Sequence, residues 1–213
     1  YLSNTLLATM ISFSNEMSLI ANVTGDINIP QAFKILHLDK RWFGNPANMA
    51  TYAYPGCGFG GYCLPKDVSG MYVESKLKGY EPLLLKEVMK VNEKIKEHAA
   101  LTIAKSVKKA DQIGILGLSF KPNSDDVRET PAKDIIQKLL GMGFSHIIGY
   151  DPLAMKNFKN AYRLPIQYAR SFEDIISKAR HLVILTAWEE FRQEKALLEG
   201  KSVLDFRYML NVH

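Results

Sequence analysis

The sequence predicts an α-helical domain followed by an α/β domain built on a doubly wound parallel sheet. Three observations predict this. Up to about residue 93, apolar side chains recur at helical spacing with few strand signals. From Gln112 onward, short apolar runs alternate with capped helical stretches, the pattern that builds a parallel sheet covered on both faces. Between them, Leu84 to Lys109 contains neither Gly nor Pro, which predicts one long helix linking the two domains as a rigid rod.

The elements follow in order. Leu6, Leu7, Met10, Ile11, Phe13, Met17 and Ile20 predict an opening helix already under way near Tyr1. With no initial methionine, the expectation is a piece of a longer protein. Gly25 to Pro30 reads as a turn and a helix start, with a short helix through Leu38. Residues 39–62 are rich in Gly, Pro, Asn and Tyr and are expected to be irregular. A helix is expected from about Lys66 to Lys78, closed by Gly79. In the second domain, strands are predicted at 112–118, 146–152, 181–187 and 202–206. Helices are predicted from Thr130-Pro131 to about Leu140, from Ser171 to Ala179, and from Glu189 to Glu199.

Composition narrows the functional classes. The 213 residues are 47% hydrophobic and 23% charged, an ordinary globular balance. No apolar run reaches the roughly 20 residues needed to span a bilayer, and no secretory signal is recognisable. The only cysteines, Cys57 and Cys63, share one glycine-rich stretch without CxxC spacing, so a disulfide framework is not expected and the cytoplasm is the expected compartment. The net charge of +5 suits an anionic ligand; its lysines are scattered rather than clustered, which argues against nucleic acid. The histidines show no metal-ligand spacing, so no metal site is expected.

The run Pro55-Gly56-Cys57-Gly58-Phe59-Gly60-Gly61-Tyr62-Cys63-Leu64-Pro65-Lys66-Asp67 is the strongest chemical signal. Pro65 suits a first helical turn, where a missing N–H costs nothing. A thiol at a helix start beside a lysine is held toward its nucleophilic thiolate form. Glycines in front of it let backbone N–H groups gather around an oxyanion or phosphate. The blander reading makes Cys63 a small apolar filler and Cys57 a loop residue. After the first predicted strand, the stretch from Ser119 to Glu129 lacks GxGxxG but offers Lys121 and Arg128, and Arg207 follows the last strand. Parallel strands would bring these three cations to one sheet edge, where doubly wound sheets bind ligands. Separately, each is an ordinary surface charge. A cysteine hydrolase would need a histidine beside Cys63, such as His37 or His98, and neither lies in a recognisable partner motif.

The stretch Gly58 to Asp67 resembles the nucleophile motif of the UDP-glucose/GDP-mannose dehydrogenase family, and Gly117 to Glu129 resembles that family's second hallmark. The resemblance covers the family's central helical domain, here residues 1–93 with the catalytic cysteine and the dimer contact, and its Rossmann-like UDP-binding domain, here residues 94–213. It does not cover the family's N-terminal NAD-binding domain. It implies an NAD-dependent two-step oxidation of UDP-glucose to UDP-glucuronate through a cysteine thiohemiacetal and thioester. GDP-mannose and UDP-N-acetyl-hexosamine are alternative substrates, and a non-catalytic nucleotide-sugar binder is the alternative function. Cys63, Asn4 and Asp67 match catalytic positions, with a catalytic lysine falling just before Tyr1. Arg41, Tyr54, Pro55, Gly56, Phe59, Gly60, Phe120, Lys121 and Arg207 match substrate positions. Cys63, Lys66 and Arg128 match positions that touch NAD. The spacing from Arg41 to Cys63 is several residues longer than in the shorter family forms. A homodimer through the central helices is implied as well.

Overall fold

The structure, a computed structural model, describes residues 1–24, 26–39, 55–77 and 82–210. The described chain divides into two compact units. The first holds residues up to Phe59 and Cys63–Ile95, the second Gly60–Tyr62 and Lys96–Leu210.

The first unit is helical. It contains α1 (Leu2–Thr24), α2 (Ile29–His37), α3 (Cys63–Leu77) and the opening turns of α4 (Leu83–Ser106), within which the division between the units falls. The predicted start of α2 is explained by its cap: Asn28 Oδ1 accepts from the Gln31 N–H at 2.9 Å, and Pro30 sits in the first turn. A small core gathers Ala8, Phe59, Val68 and Val88. Helix α1 forms where its periodicity predicts, and it buries polar as well as apolar side chains. Leu6 and Phe13 are 53% and 52% exposed, while Thr5, Ser12, Ser14, Asn15 and Ser18 are buried. Helix α3 begins at Cys63, three residues earlier than expected, because Pro65 fits any position of the first turn. The expected closure at Gly79 lies outside the described residues. Helix α4 stops at Ser106 rather than Lys109.

The second unit is an α/β layer structure. Strands β1 (Ile113–Leu116), β2 (Ile147–Tyr150), β3 (Gln167–Tyr168), β4 (His181–Ile184) and β5 (Ser202–Asp205) form one parallel sheet in the order β3-β2-β1-β4-β5. The order reverses between β1 and β4, so the sheet is doubly wound as predicted. β1 and β2 are buried at every residue, which is why they read as continuous apolar runs. Helices α5 (Pro131–Gly141), α6 (Met155–Tyr162), α7 (Phe172–Lys178) and α8 (Glu189–Gln193) connect the strands. Thr130 caps α5 and Ser171 caps α7. Phe172 and Phe191 stack with centroids 5.3 Å apart inside one face of the core.

Three corrections follow here. The helix expected from Glu189 to Glu199 ends at Gln193 and continues as a 3-10 turn over Lys195–Leu198. The sequence shows four strands where the sheet has five, because β3 is two residues long and carries too little pattern. Helix α6 was not anticipated: its N-cap Ala154 makes no side-chain bond, and it closes on Arg163 in the left-handed region rather than on glycine. Among the described residues no helix is long and apolar enough to cross a membrane.

Candidate functional site

In the first unit, Cys63 is exposed at the first position of α3, and Asp67 lies one turn further on the same helix. Asp67 is 5% exposed. Its Oδ1 lies 2.6 Å from Lys66 Nζ, and its Oδ2 accepts from Asn4 Nδ2 on α1. The Lys66 ammonium and then the Asn4 amide hold the Asp67 carboxyl below the usual carboxylate range. The Lys66 ammonium pairs with Asp67 and lies 5.8 Å from the centre of the Tyr1 ring. Asn4, unremarkable as a helical residue, gains a reason for its place from Asp67.

The segment Pro55–Phe59 in the same unit is buried and braced by two asparagines that the sequence reading missed. Asn15 Oδ1 accepts from the Gly56 N–H at 2.6 Å. Asn92, on α4, grips Phe59 twice: its Oδ1 accepts from the Phe59 N–H at 2.7 Å, and its Nδ2 donates to the Phe59 carbonyl at 3.2 Å. Gly58 adopts φ +106°, and a Cβ there would stand 2.7 Å from Asn92 Oδ1. Asparagines on amphipathic helices ordinarily face water, so no local signal marks these two; only the apolar face of α4 around Asn92 could have flagged one. Cys57 is 2% exposed, so it packs rather than reacts. His37 packs edge-on to Phe33 at 6.4 Å, which leaves the hydrolase reading without support from it. Arg41 and Tyr54 lie outside the described residues.

In the second unit, Gly60 and Gly61 lie flush against the β1–α5 connection. A Cβ on Gly60 would stand 2.1 Å from the Glu129 carbonyl oxygen, and one on Gly61 would stand 2.8 Å from the Phe120 ring. The Gly61 N–H donates to the Arg128 carbonyl at 2.8 Å. Arg128 pairs with Asp126 at 2.6 Å and places its guanidinium 4.8 Å over the Tyr62 ring. That guanidinium holds the Asp126 carboxyl below its ordinary range. Lys121 is exposed, with its ammonium 5.5 Å from the Phe120 ring centre. Arg207 follows β5, half-buried; its N–H donates to Asp205 Oδ1 at 2.9 Å. Burial raises the Asp205 pKa despite the N–H donors around it. All strands being parallel, the residues after β1 and β5 share the carboxyl edge of the sheet. His98 faces Thr102 at 3.5 Å, its pKa lowered by burial. Among the described residues no cluster of three or more His, Cys, Asp or Glu could hold a metal ion.

Residues 1–94 match the UDP-glucose/GDP-mannose dehydrogenase family, central domain, and residues 114–212 match the same family's UDP binding domain. The UDP-glucose 6-dehydrogenase of Bacillus subtilis strain 168 is 33% identical over 100% of this chain and 46% of its own length. The UDP-glucose 6-dehydrogenase of Haloferax volcanii is 32% identical over 97% of this chain and 48% of its own. The chain thus spans about half the length of the curated relatives it matches. Among solved structures, a UDP-glucose dehydrogenase from Pyrobaculum islandicum superposes with a TM-score of 0.85 at 32% identity, covering 100% of this chain and 48% of that one. The UDP-D-ManNAc dehydrogenase of Pyrococcus horikoshii, at 24% identity and a TM-score of 0.73, shares the fold.

Proposed function

This chain belongs to the UDP-glucose/GDP-mannose dehydrogenase family, and we propose that it supplies the nucleophile and the nucleotide-sugar domain of a UDP-glucose 6-dehydrogenase. The observation that carries the reading is the arrangement at the head of α3. An exposed thiol starts the helix, and one turn later a carboxylate is fixed by Asn4 and Lys66.

Residues of this chain would hold NAD only in part. The connection after β1 runs from Gly117 to Thr130, not the tight glycine turn that receives a pyrophosphate in dinucleotide-binding sheets. The exposed Lys66 and Arg128 suit an anionic cofactor approaching each unit from solvent. NAD, when bound, supplies the acceptor for both two-electron oxidations. The chain's residues do the rest. The Cys63 sulfur adds to the C6 aldehyde carbon while its proton passes by way of solvent to the carbonyl oxygen, giving a thiohemiacetal; loss of the C6 hydrogen as hydride and of the hydroxyl proton to solvent leaves a thioester. Water then adds to the thioester carbonyl, the C–S bond breaks, and the carboxylate leaves with Cys63 restored as a thiol. Asn4 has a second amide proton for the oxyanion formed at each addition. Asp67, ionised and with both oxygens engaged, orients Asn4 and Lys66; its lowered pKa makes it a poor proton acceptor. Pro55, Gly56, Phe59, Gly60, Phe120, Lys121 and Arg207 are the proposed substrate contacts, joined by Arg41 and Tyr54. The exposed Leu6 and Phe13 of α1 favour a homodimer through the central helices, which sedimentation reads directly.

Calorimetric titration of these 213 residues tests the substrate. UDP-glucose should bind in preference to GDP-mannose; the reverse preference would refute the assignment. The same polypeptide should produce no NADH by itself. In the complete enzyme, Cys63→Ser should stop the reaction before the acid, and normal acid formation would remove Cys63 from the mechanism.

A further inference from the structure

Asp151 directly follows β2, the place where doubly wound dinucleotide-binding sheets put the acid that holds a ribose hydroxyl. Here that acid is sealed. It is 1% exposed, and its two oxygens receive six protein donors. Oδ2 accepts from the Leu118 N–H at 2.8 Å, the Ser119 N–H at 2.9 Å, Ser119 Oγ at 2.8 Å and Trp188 Nε1 at 3.1 Å. Oδ1 accepts from the N–H groups of Leu153 at 3.0 Å and Ala154 at 2.8 Å. A carboxylate has about four lone-pair directions, so none is left for a ligand.

The bonds converge on the segment that leads from β1 to Phe120 and Lys121. Its other polar groups are tied too: the Gly117 N–H donates to the Tyr150 carbonyl at 2.8 Å, and Thr186 Oγ1 donates to the Ser119 carbonyl at 2.7 Å. A Cβ on Gly117, which adopts φ +95°, would stand 2.4 Å from the Thr186 Cβ, so only glycine suits the backbone's course there.

We propose that Asp151 is a positioning residue for the nucleotide end of the substrate: its buried carboxylate holds Leu118 and Ser119 in place so that Phe120 and Lys121 meet the ligand already ordered. The inference rests on the nucleotide-sugar reading above. It assigns the acid at the end of the second strand an inward brace in place of a ribose contact. A preformed loop spares the ligand the entropy of ordering it.

The test uses the present chain with UDP as the probe, reading affinity by calorimetry and the Leu118 and Ser119 amides by hydrogen exchange. Asp151→Asn replaces an acceptor with a donor facing buried N–H groups. It should weaken UDP binding about tenfold or more and strip exchange protection from both amides. Ser119→Ala should show a smaller loss of affinity, and Ser119→Thr, which keeps the hydroxyl, should restore it. If Asp151→Asn does not fold, the serine pair decides: Ala and Thr variants that bind UDP equally well overturn the proposal. So does a folded Asp151→Asn chain that loses amide protection yet binds UDP within twofold of the parent. A parent chain that protects both amides but binds no UDP overturns the functional reading and leaves the brace itself standing.

Discussion

The two loops that carry the proposed chemistry are braced by different chemistry. In the first unit, Pro55–Phe59 hangs on neutral amides, Asn15 and Asn92. In the second, the segment after β1 hangs on one carboxylate, Asp151. An amide offers one donor and one acceptor group, so it can pair with both the N–H and the carbonyl of one residue, as Asn92 does with Phe59. A carboxylate only accepts, so it can gather many N–H groups but leaves carbonyls to others, here Thr186. The amide brace brings no charge into the fold, whereas the carboxylate brace brings one that its donors must satisfy.

The largest expected effect is steric. Gly60→Ala drives a Cβ into the Glu129 carbonyl, a backbone atom that cannot swing aside. It should destabilise the second unit by about 3 kcal/mol or more, seen as a lower Tm in thermal unfolding. Asn92→Ala comes next. It leaves the buried Phe59 N–H and carbonyl unpaired and should cost about 2–4 kcal/mol in urea unfolding.

The third prediction turns one brace into the other. Asn92→Asp places an acid in a buried site whose carbonyl neighbour needs a donor, so its folded pKa should rise. A raised folded pKa contributes stability below the unfolded value, near 4, that is lost as pH rises through the folded value. This variant should therefore gain on the parent as pH falls. Asp67 has the opposite sign. Its folded pKa is lowered by Lys66 and Asn4, so its contribution is present above the unfolded value and disappears as pH falls through the folded one. The stability gap between the parent and Asp67→Asn should narrow as pH falls below about 4, the unfolded value, as followed by urea unfolding at each pH. The smallest effect belongs to the exposed Arg192–Glu189 pair on α8, 2.9 Å apart: Arg192→Ala should change stability by under about 0.5 kcal/mol.

The legibility of the sequence follows the same division. The loops themselves were readable, because Gly58, Gly60, Gly61 and Cys63 are unusual residues in an unusual order. β1 and β2 were readable because all their residues are buried, and β4 because Leu182, Val183 and Ile184 are. The braces were not: Asn15, Asn92 and Asp151 act on residues 41, 33 and 33 or 32 positions away, and among them only Asn92 has a local mark, the apolar face of α4 around it. Helix α1 was readable as a helix, but not in the side it buries, for a related reason. Periodicity places Leu6 and Phe13 on one stripe, but which stripe faces inward is decided by neighbours far along the chain.

The two cysteines differ in one further respect. Cys63 stands open to solvent and Cys57 is closed off inside the fold. A small alkylating reagent therefore meets one thiol in the intact chain and two once the first unit opens. The molecule carries its own counter of integrity, read by mass as one added label or two, with no dye, tag or substrate required.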